Sequence, residues 1–172
     1  MKIGFIGLGN VGGKLAGSLL RNGFDLTVRD LNQEIASPFL DNGAKWGESP
    51  KKIAETVELI ITCLPNPEAS ATVMEADDGV LAGISHGKVW AEMSTTDEEE
   101  VKRLGKMVHE LGGEALDCPV SGGCHRAATG NISIFVGGER SSFEKILPVM
   151  KVLGRRILHT GALGSASVLK VM

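Results

Sequence analysis

Along this chain, short apolar runs alternate with longer segments in which apolar residues recur at every third or fourth position. The runs fall at residues 3–6, 24–28, 58–62, 88–92, 114–118, 132–136 and 156–159. Leu15, Ala16, Leu19 and Leu20 mark the first intervening segment as an amphipathic helix. Short apolar runs alternating with helices predict an α/β fold, a doubly wound and mostly parallel sheet covered on both faces.

Helix boundaries can be placed from side-chain chemistry. Ser49-Pro50 and Asn66-Pro67 each put a capping oxygen before a proline whose missing N–H costs nothing at the first helical position. Thr96 with Glu99, and Ser141 with Glu144, fit the S/T-x-x-E capping box. The run Asp97-Glu98-Glu99-Glu100 falls in a first helical turn, where carboxylates complement the helix dipole. Gly112-Gly113 and Gly154 are expected to stop helices.

Candidate chemistry starts at the end of the first strand, where Gly7, Gly9 and Gly12 form a G-x-G-x-x-G turn opening the first helix. Gly7 allows the tight turn, Gly9 leaves room for a pyrophosphate against the backbone, and Gly12 lets helix and strand approach. The turn Gly7-Leu8-Gly9-Asn10-Val11-Gly12 then offers free N–H groups to an anion, which points to a dinucleotide. Asp30 follows the second strand, 18 residues after Gly12, near the spacing expected of a carboxylate that accepts adenosine ribose hydroxyls. It would repel a 2′-phosphate, so NAD is favoured over NADP. Arg29 should point to the opposite face, although its guanidinium could curl back.

Ligands of open parallel sheets collect outside the carboxyl ends of the strands. Leu64-Pro65-Asn66 is a stiff turn that can both pack on a cofactor and start a helix. Ser94 or Thr95 can reach the nicotinamide ribose, with Thr96 as a cap. In Asp117-Cys118-Pro119-Val120-Ser121-Gly122-Gly123, a hydroxyl followed by two glycines can build a concave set of donors suited to a carboxylate.

Bulk properties narrow the partners. With 172 residues and 42% hydrophobic composition, the chain can bury a full core. A formal net charge of −3 with scattered Lys and Arg provides no basic face, so no nucleic-acid partner is expected. Cys63, Cys118 and Cys124 are odd in number and lack metal-type spacing. They suggest reduced thiols in a cytoplasmic setting, and Cys118, Cys124 and His125 lack a fourth ligand for a metal. The first strand begins near Met1, leaving no room for a leader, and no apolar run approaches the ~20 residues of a membrane span, so a soluble protein without a membrane partner is expected.

Together these stretches resemble the β-hydroxyacid dehydrogenase family, which includes 3-hydroxyisobutyrate dehydrogenases and tartronate semialdehyde reductases. The resemblance continues through Ala128-Thr129-Gly130-Asn131-Ile132, Val136-Gly137-Gly138 and Gly161-Ala162-Leu163-Gly164 to Lys170. It implies a Rossmann fold over residues 1–162. It also implies hydride transfer between NAD(P) and a small 3-hydroxy acid or its semialdehyde, with the substrate carboxylate on Ser121, Gly122 and Gly123 and Lys170 as catalytic acid and base. Val11 stands where many members have Met, and Cys118 replaces another small residue. Imine reductases share the architecture but usually replace the lysine. 6-Phosphogluconate dehydrogenase is related too, with a different extension where this chain has Cys124-His125-Arg126.

In the family, Lys170 would be followed by a substrate-orienting Asn on a long helix leading into an all-helical domain; here Val171 and Met172 follow. Residues 163–172 therefore read as the start of an interdomain helix in a truncated chain. A helix this short is marginal alone, so Lys170 is expected to be poorly held, NAD binding weak and activity low. Apolar surface meant for the second domain would favour a homo-oligomer. The alternative is a non-catalytic cofactor-binding or scaffolding module.

Overall fold

The computed structural model describes residues 1–172 as one nine-stranded sheet with helices on both faces. Strand β1 (Lys2–Ile6) leads through the glycine turn into helix α1 (Asn10–Arg21), which returns to β2 (Asp25–Arg29). A short helix α2 (Ser37–Asp41) precedes β3 (Lys45–Trp46). Then α3 (Pro50–Thr56), β4 (Leu59–Thr62), α4 (Pro67–Glu75), β5 (Val89–Glu92), α5 (Glu98–Glu110) and β6 (Glu114–Asp117) alternate. The chain ends with β7 (Val120–Ser121), α6 (Gly123–Ala128), β8 (Ile132–Gly137), α7 (Arg140–Leu153), β9 (Gly154–Gly161) and α8 (Ser165–Val171). No helix is long and apolar enough to cross a membrane.

The order β3-β2-β1-β4-β5-β6 is that of the doubly wound dinucleotide fold, parallel throughout. Alternation of side chains divides the core in two. On one face Ile3, Phe5, Leu59, Ile61, Val89 and Ala91 meet α1 and α7 through Leu15, Leu19, Ile146 and Met150. On the other, Ile6, Ile60 and Trp90 meet Ile53 of α3, Met74 of α4 and Leu104 of α5.

The sheet is mostly parallel as expected, with β8 running antiparallel to β6 and β7. Two local expectations are corrected. Thr96 is buried and does not cap α5; the Asp97 side chain accepts from the Glu100 N–H at 2.8 Å instead. The Ser141 to Glu144 capping box is absent, because α7 already begins at Arg140 and Glu144 pairs with that arginine. Asn66 and Ser49 cap as expected, accepting from the Ala69 and Lys52 N–H groups at 2.8 and 3.1 Å. Gly154 ends α7 by passing directly into β9, in extended backbone at φ −135°.

Candidate active site

Register brings the carboxyl ends of the strands into one row. Ile6 pairs with Arg29 on one side and Thr62 on the other, Thr62 with Glu92, Glu92 with Asp117, and Asp117 with Gly137. The residues following each of these positions therefore line one edge. That edge gathers Gly7, Asp30, Leu64, Ser94 and the Ser121 turn from distant parts of the sequence.

At the glycine turn, Gly7 has φ +104°, and a Cβ there would collide with the Cys63 carbonyl. A Cβ on Gly12 would collide with the Gly7 carbonyl, so α1 leaves β1 at close range. Gly9 differs, since a Cβ there would meet nothing within 4 Å. Gly9 caps α1 without any side-chain bond, leaving the N–H groups of Asn10, Val11 and Gly12 without a protein acceptor. Leu8 is buried, and its N–H donates to Asp30 Oδ2 at 2.8 Å. Asp30 Oδ1 accepts from the Asn32 N–H at 3.0 Å. The carboxylate is thus fastened to the glycine turn by one oxygen and to its own loop by the other, with lone pairs left for hydroxyl donors. Arg29 does not curl back. Its Nη1 donates to the Gly47 and Glu48 carbonyls at 2.9 and 2.7 Å, and its guanidinium lies 5.4 Å from the Trp46 ring centroid. Open N–H groups, a bare Cα facing free space and a fixed carboxylate together suit a dinucleotide.

Below the middle of the row lies a buried polar network. Trp90 Nε1 donates to Thr62 Oγ1 at 2.9 Å, and Thr62 Oγ1 donates to Glu92 Oε1 at 2.9 Å. Glu92 Oε1 also accepts the Ser94 N–H at 3.0 Å, while Ser94 Oγ accepts the Leu64 N–H at 2.7 Å. Glu92 therefore joins the turns after β4 and β5, and Ser94 acts between them from a buried position. Of the residues expected at the nicotinamide ribose, Thr95 is the exposed one, and Pro65 is also exposed at its own turn. Burial pushes the Glu92 carboxyl above its ordinary value, opposed by its hydrogen bonds. Burial, with Glu92 second, pushes the Cys63 thiol up to about 12.

At the other end, Ser121 sits in the short antiparallel strand β7, opposite Ser133. Gly122 and Gly123 follow with φ +132° and +74°, backbone that favours glycine. Helix α6 then docks on α1, where Ala127 and Ala128 carbonyls accept from Ser18 Oγ at 3.3 Å and Arg21 Nη2 at 2.8 Å. This contact fixes the Ser121 turn relative to the glycine helix. Lys170 Nζ donates to the Val120 carbonyl at 2.7 Å, one residue before Ser121. The expectation of a loosely held Lys170 is corrected here: α8 forms, and its first turn is bonded to Asp117 through the Gly164 N–H and both polar groups of Ser167, each at 2.8 Å.

The sequence does not single out Asp117 or Glu92 as site residues. A carboxylate at the end of an apolar run was the available signal. Apart from the Ser94 N–H on Glu92, their donors lie 30 to 50 residues away, beyond any local pattern.

Comparison with known proteins agrees with this geometry. Residues 2–161 match the family described as the NAD binding domain of 6-phosphogluconate dehydrogenase. Among curated relatives, 2-(hydroxymethyl)glutarate dehydrogenase of Eubacterium barkeri is 36% identical over 100% of this chain and 57% of its own length. The mitochondrial 3-hydroxyisobutyrate dehydrogenase of Rattus norvegicus is 34% identical over 98% of this chain and 50% of its own. The chain thus spans little more than half the length of these relatives. The solved structure of a 3-hydroxyisobutyrate dehydrogenase of Mycobacterium tuberculosis with L-serine superposes with a TM-score of 0.93 at 28% identity, over 99% of this chain and 57% of that one. The sequence match, the strand order and the glycine turn agree: the chain belongs to the NAD-binding domain family of 6-phosphogluconate dehydrogenase and carries the NAD(P)-binding domain of its β-hydroxyacid dehydrogenase relatives.

Proposed function

We propose that this domain serves hydride transfer between NAD and a small 3-hydroxy acid or the corresponding semialdehyde. The observation that carries the reading is the ammonium of Lys170 on the carbonyl of Val120, beside the Ser121-Gly122-Gly123 turn. A proton donor and a carboxylate-sized set of donors then lie side by side.

The N–H groups of Asn10, Val11 and Gly12 hold the pyrophosphate, and Asp30 accepts the ribose hydroxyls. With Arg29 engaged elsewhere, no cation stands beside Asp30 to offset its repulsion of a 2′-phosphate, which supports NAD. When bound, the nicotinamide supplies or accepts the hydride. Ser121, Gly122 and Gly123 bind the substrate carboxylate and so orient the reacting carbon. Lys170 donates a proton to the alkoxide oxygen as it develops in reduction, and takes the hydroxyl proton in oxidation. Its charge also stabilises that oxygen.

The test is NADH oxidation followed at 340 nm with a series of small semialdehydes. Turnover is expected with free carboxylates and not with their neutral esters, and it should be lost in Lys170→Met. Turnover indifferent to the carboxylate, or surviving that substitution, would overturn the reading.

A further inference from the structure

Asp117 ends β6 fully buried, and its carboxylate is saturated by a helix remote in sequence. Oδ1 accepts the Gly164 N–H at 2.8 Å; Oδ2 accepts the Ser167 N–H and Ser167 Oγ, each at 2.8 Å. All three donors belong to the start of α8. A buried carboxylate is costly unless its lone pairs are filled, so this bonding offsets the cost and ties α8 to the sheet. The neighbouring strand is shaped around it. Gly137 of β8 is the register partner of Asp117, and a Cβ on Gly137 would collide with Asp117 Oδ1.

A second connection lies parallel to the first. Ser167 and Lys170 are three residues apart and share a helix face. Asp117 and Val120 are three residues apart on the opposing strand and turn, with Pro119 stiffening the segment between them. The contacts Asp117 to Ser167 and Val120 to Lys170 therefore form two successive rungs between the same two segments. The rungs differ in kind. The Asp117 rung is buried and has two bonds from Ser167 beside a third from Gly164, whereas the Lys170 rung is one partly buried bond to a single carbonyl.

We propose that Asp117 is the positioning residue for Lys170. It holds the first turn of α8 against the sheet so that the ammonium can leave Val120 for a substrate oxygen without the helix moving. This rests on the proton-transfer reading of Lys170 given above. An isolated segment of this length would not stay helical, so the clamp supplies what the segment lacks. It acts on α8 and touches neither cofactor nor substrate.

Asp117→Asn replaces one acceptor oxygen by an NH₂ group facing N–H donors. Three readouts on the full chain test the proposal. Amide exchange across 163–171, followed by mass spectrometry, should accelerate about tenfold or more while the strands β1, β4 and β5 keep their protection. Acetylation of the Lys170 amine by an activated ester should speed up relative to the other lysines, as its ammonium comes off Val120. The kcat for semialdehyde reduction should fall about 100-fold, with NADH affinity within twofold of the parent. Ser167→Ala, which removes one donor of three and leaves the carboxylate in place, should give a smaller change in the same direction.

The first two readouts require no turnover. Unchanged exchange in 163–171 together with unchanged Lys170 acetylation in Asp117→Asn would overturn the proposal. So would loss of protection across the whole sheet in both variants, which would make Asp117 a general fold residue. Lys170→Met separates the two claims: it should abolish turnover while α8 keeps its exchange protection. If turnover persists in Lys170→Met, the proton-transfer reading fails while the clamp stands.

Discussion

Gly9→Ala distinguishes a residue kept for a ligand from one kept for the fold. Gly9 lies at φ −69°, accessible to alanine, and the added Cβ meets nothing within 4 Å. Alanine stabilises such sites by about 0.4–1 kcal/mol through the unfolded chain, while being a poorer helix cap than glycine by a similar amount. The net effect should stay within about 1 kcal/mol, roughly 2–4 °C in Tm for a domain of this size. A pyrophosphate would nonetheless meet the methyl group. Losing one charge-assisted bond to the N–H groups of α1, worth about 1.5–3 kcal/mol, should weaken binding about 10- to 140-fold. Gly7→Ala is the contrasting case. Its positive φ and the collision with the Cys63 carbonyl add strain and overpacking of about 2–5 kcal/mol. Thermal melting and NADH titration by calorimetry measure both quantities. If Gly9→Ala binds NADH like the parent chain, the pyrophosphate does not lie on this turn. If it melts as early as Gly7→Ala, the steric reading of Gly9 is wrong.

Three further outcomes are expected. Because burial raises the Glu92 carboxyl above its ordinary 4.5, the folded chain holds this proton to higher pH than the unfolded chain. The associated stability is fully present below that value and is lost as pH rises through the folded-state pKa. The Tm of Glu92→Gln relative to the parent should therefore climb between pH 5 and pH 9, and a flat difference would refute the assignment. Native thiol titration should find Cys124 reactive and Cys63 and Cys118 inert, because Cys124 is exposed, the Cys63 thiol is pushed up to about 12 and Cys118 is fully buried. Rapid labelling of Cys63 would contradict its placement beside Glu92. Asp30→Ala should weaken NAD binding and strengthen NADP binding, shifting the ratio towards NADP by roughly 5-fold or more, since a repulsion of about 1–4 kcal/mol is removed. An unchanged ratio in calorimetric titration would remove Asp30 from the ribose site.

Much of the fold could be read along the chain because its signals are local. The apolar run ending in Gly7, the spacing to Asp30 and the caps at Ser49 and Asn66 each need only a few neighbouring residues. The direction of β8 was not legible, since the apolar pattern of Ile132–Val136 reads alike in either sense. Thr96 and Asp97 are adjacent and both able to cap; burial of Thr96 decided between them. Two-residue strands such as β3 and β7 are too short to show a period. The deeper omission was electrostatic. Glu92 takes its side-chain donor Thr62 from β4 and Asp117 takes its donors from the start of α8, so their roles exist only once the row of strand ends is assembled. The same holds for α8, which looks too short to persist until the Asp117 clamp is counted.

Calorimetric titration of the chain with NAD and NADP, in reduced and oxidised forms, tests the cofactor site most directly. One NAD(H) per chain, bound more tightly than NADP(H), is expected. Absence of a complex, or tighter binding of NADP(H), would contradict the assignment of Asp30 and the glycine turn.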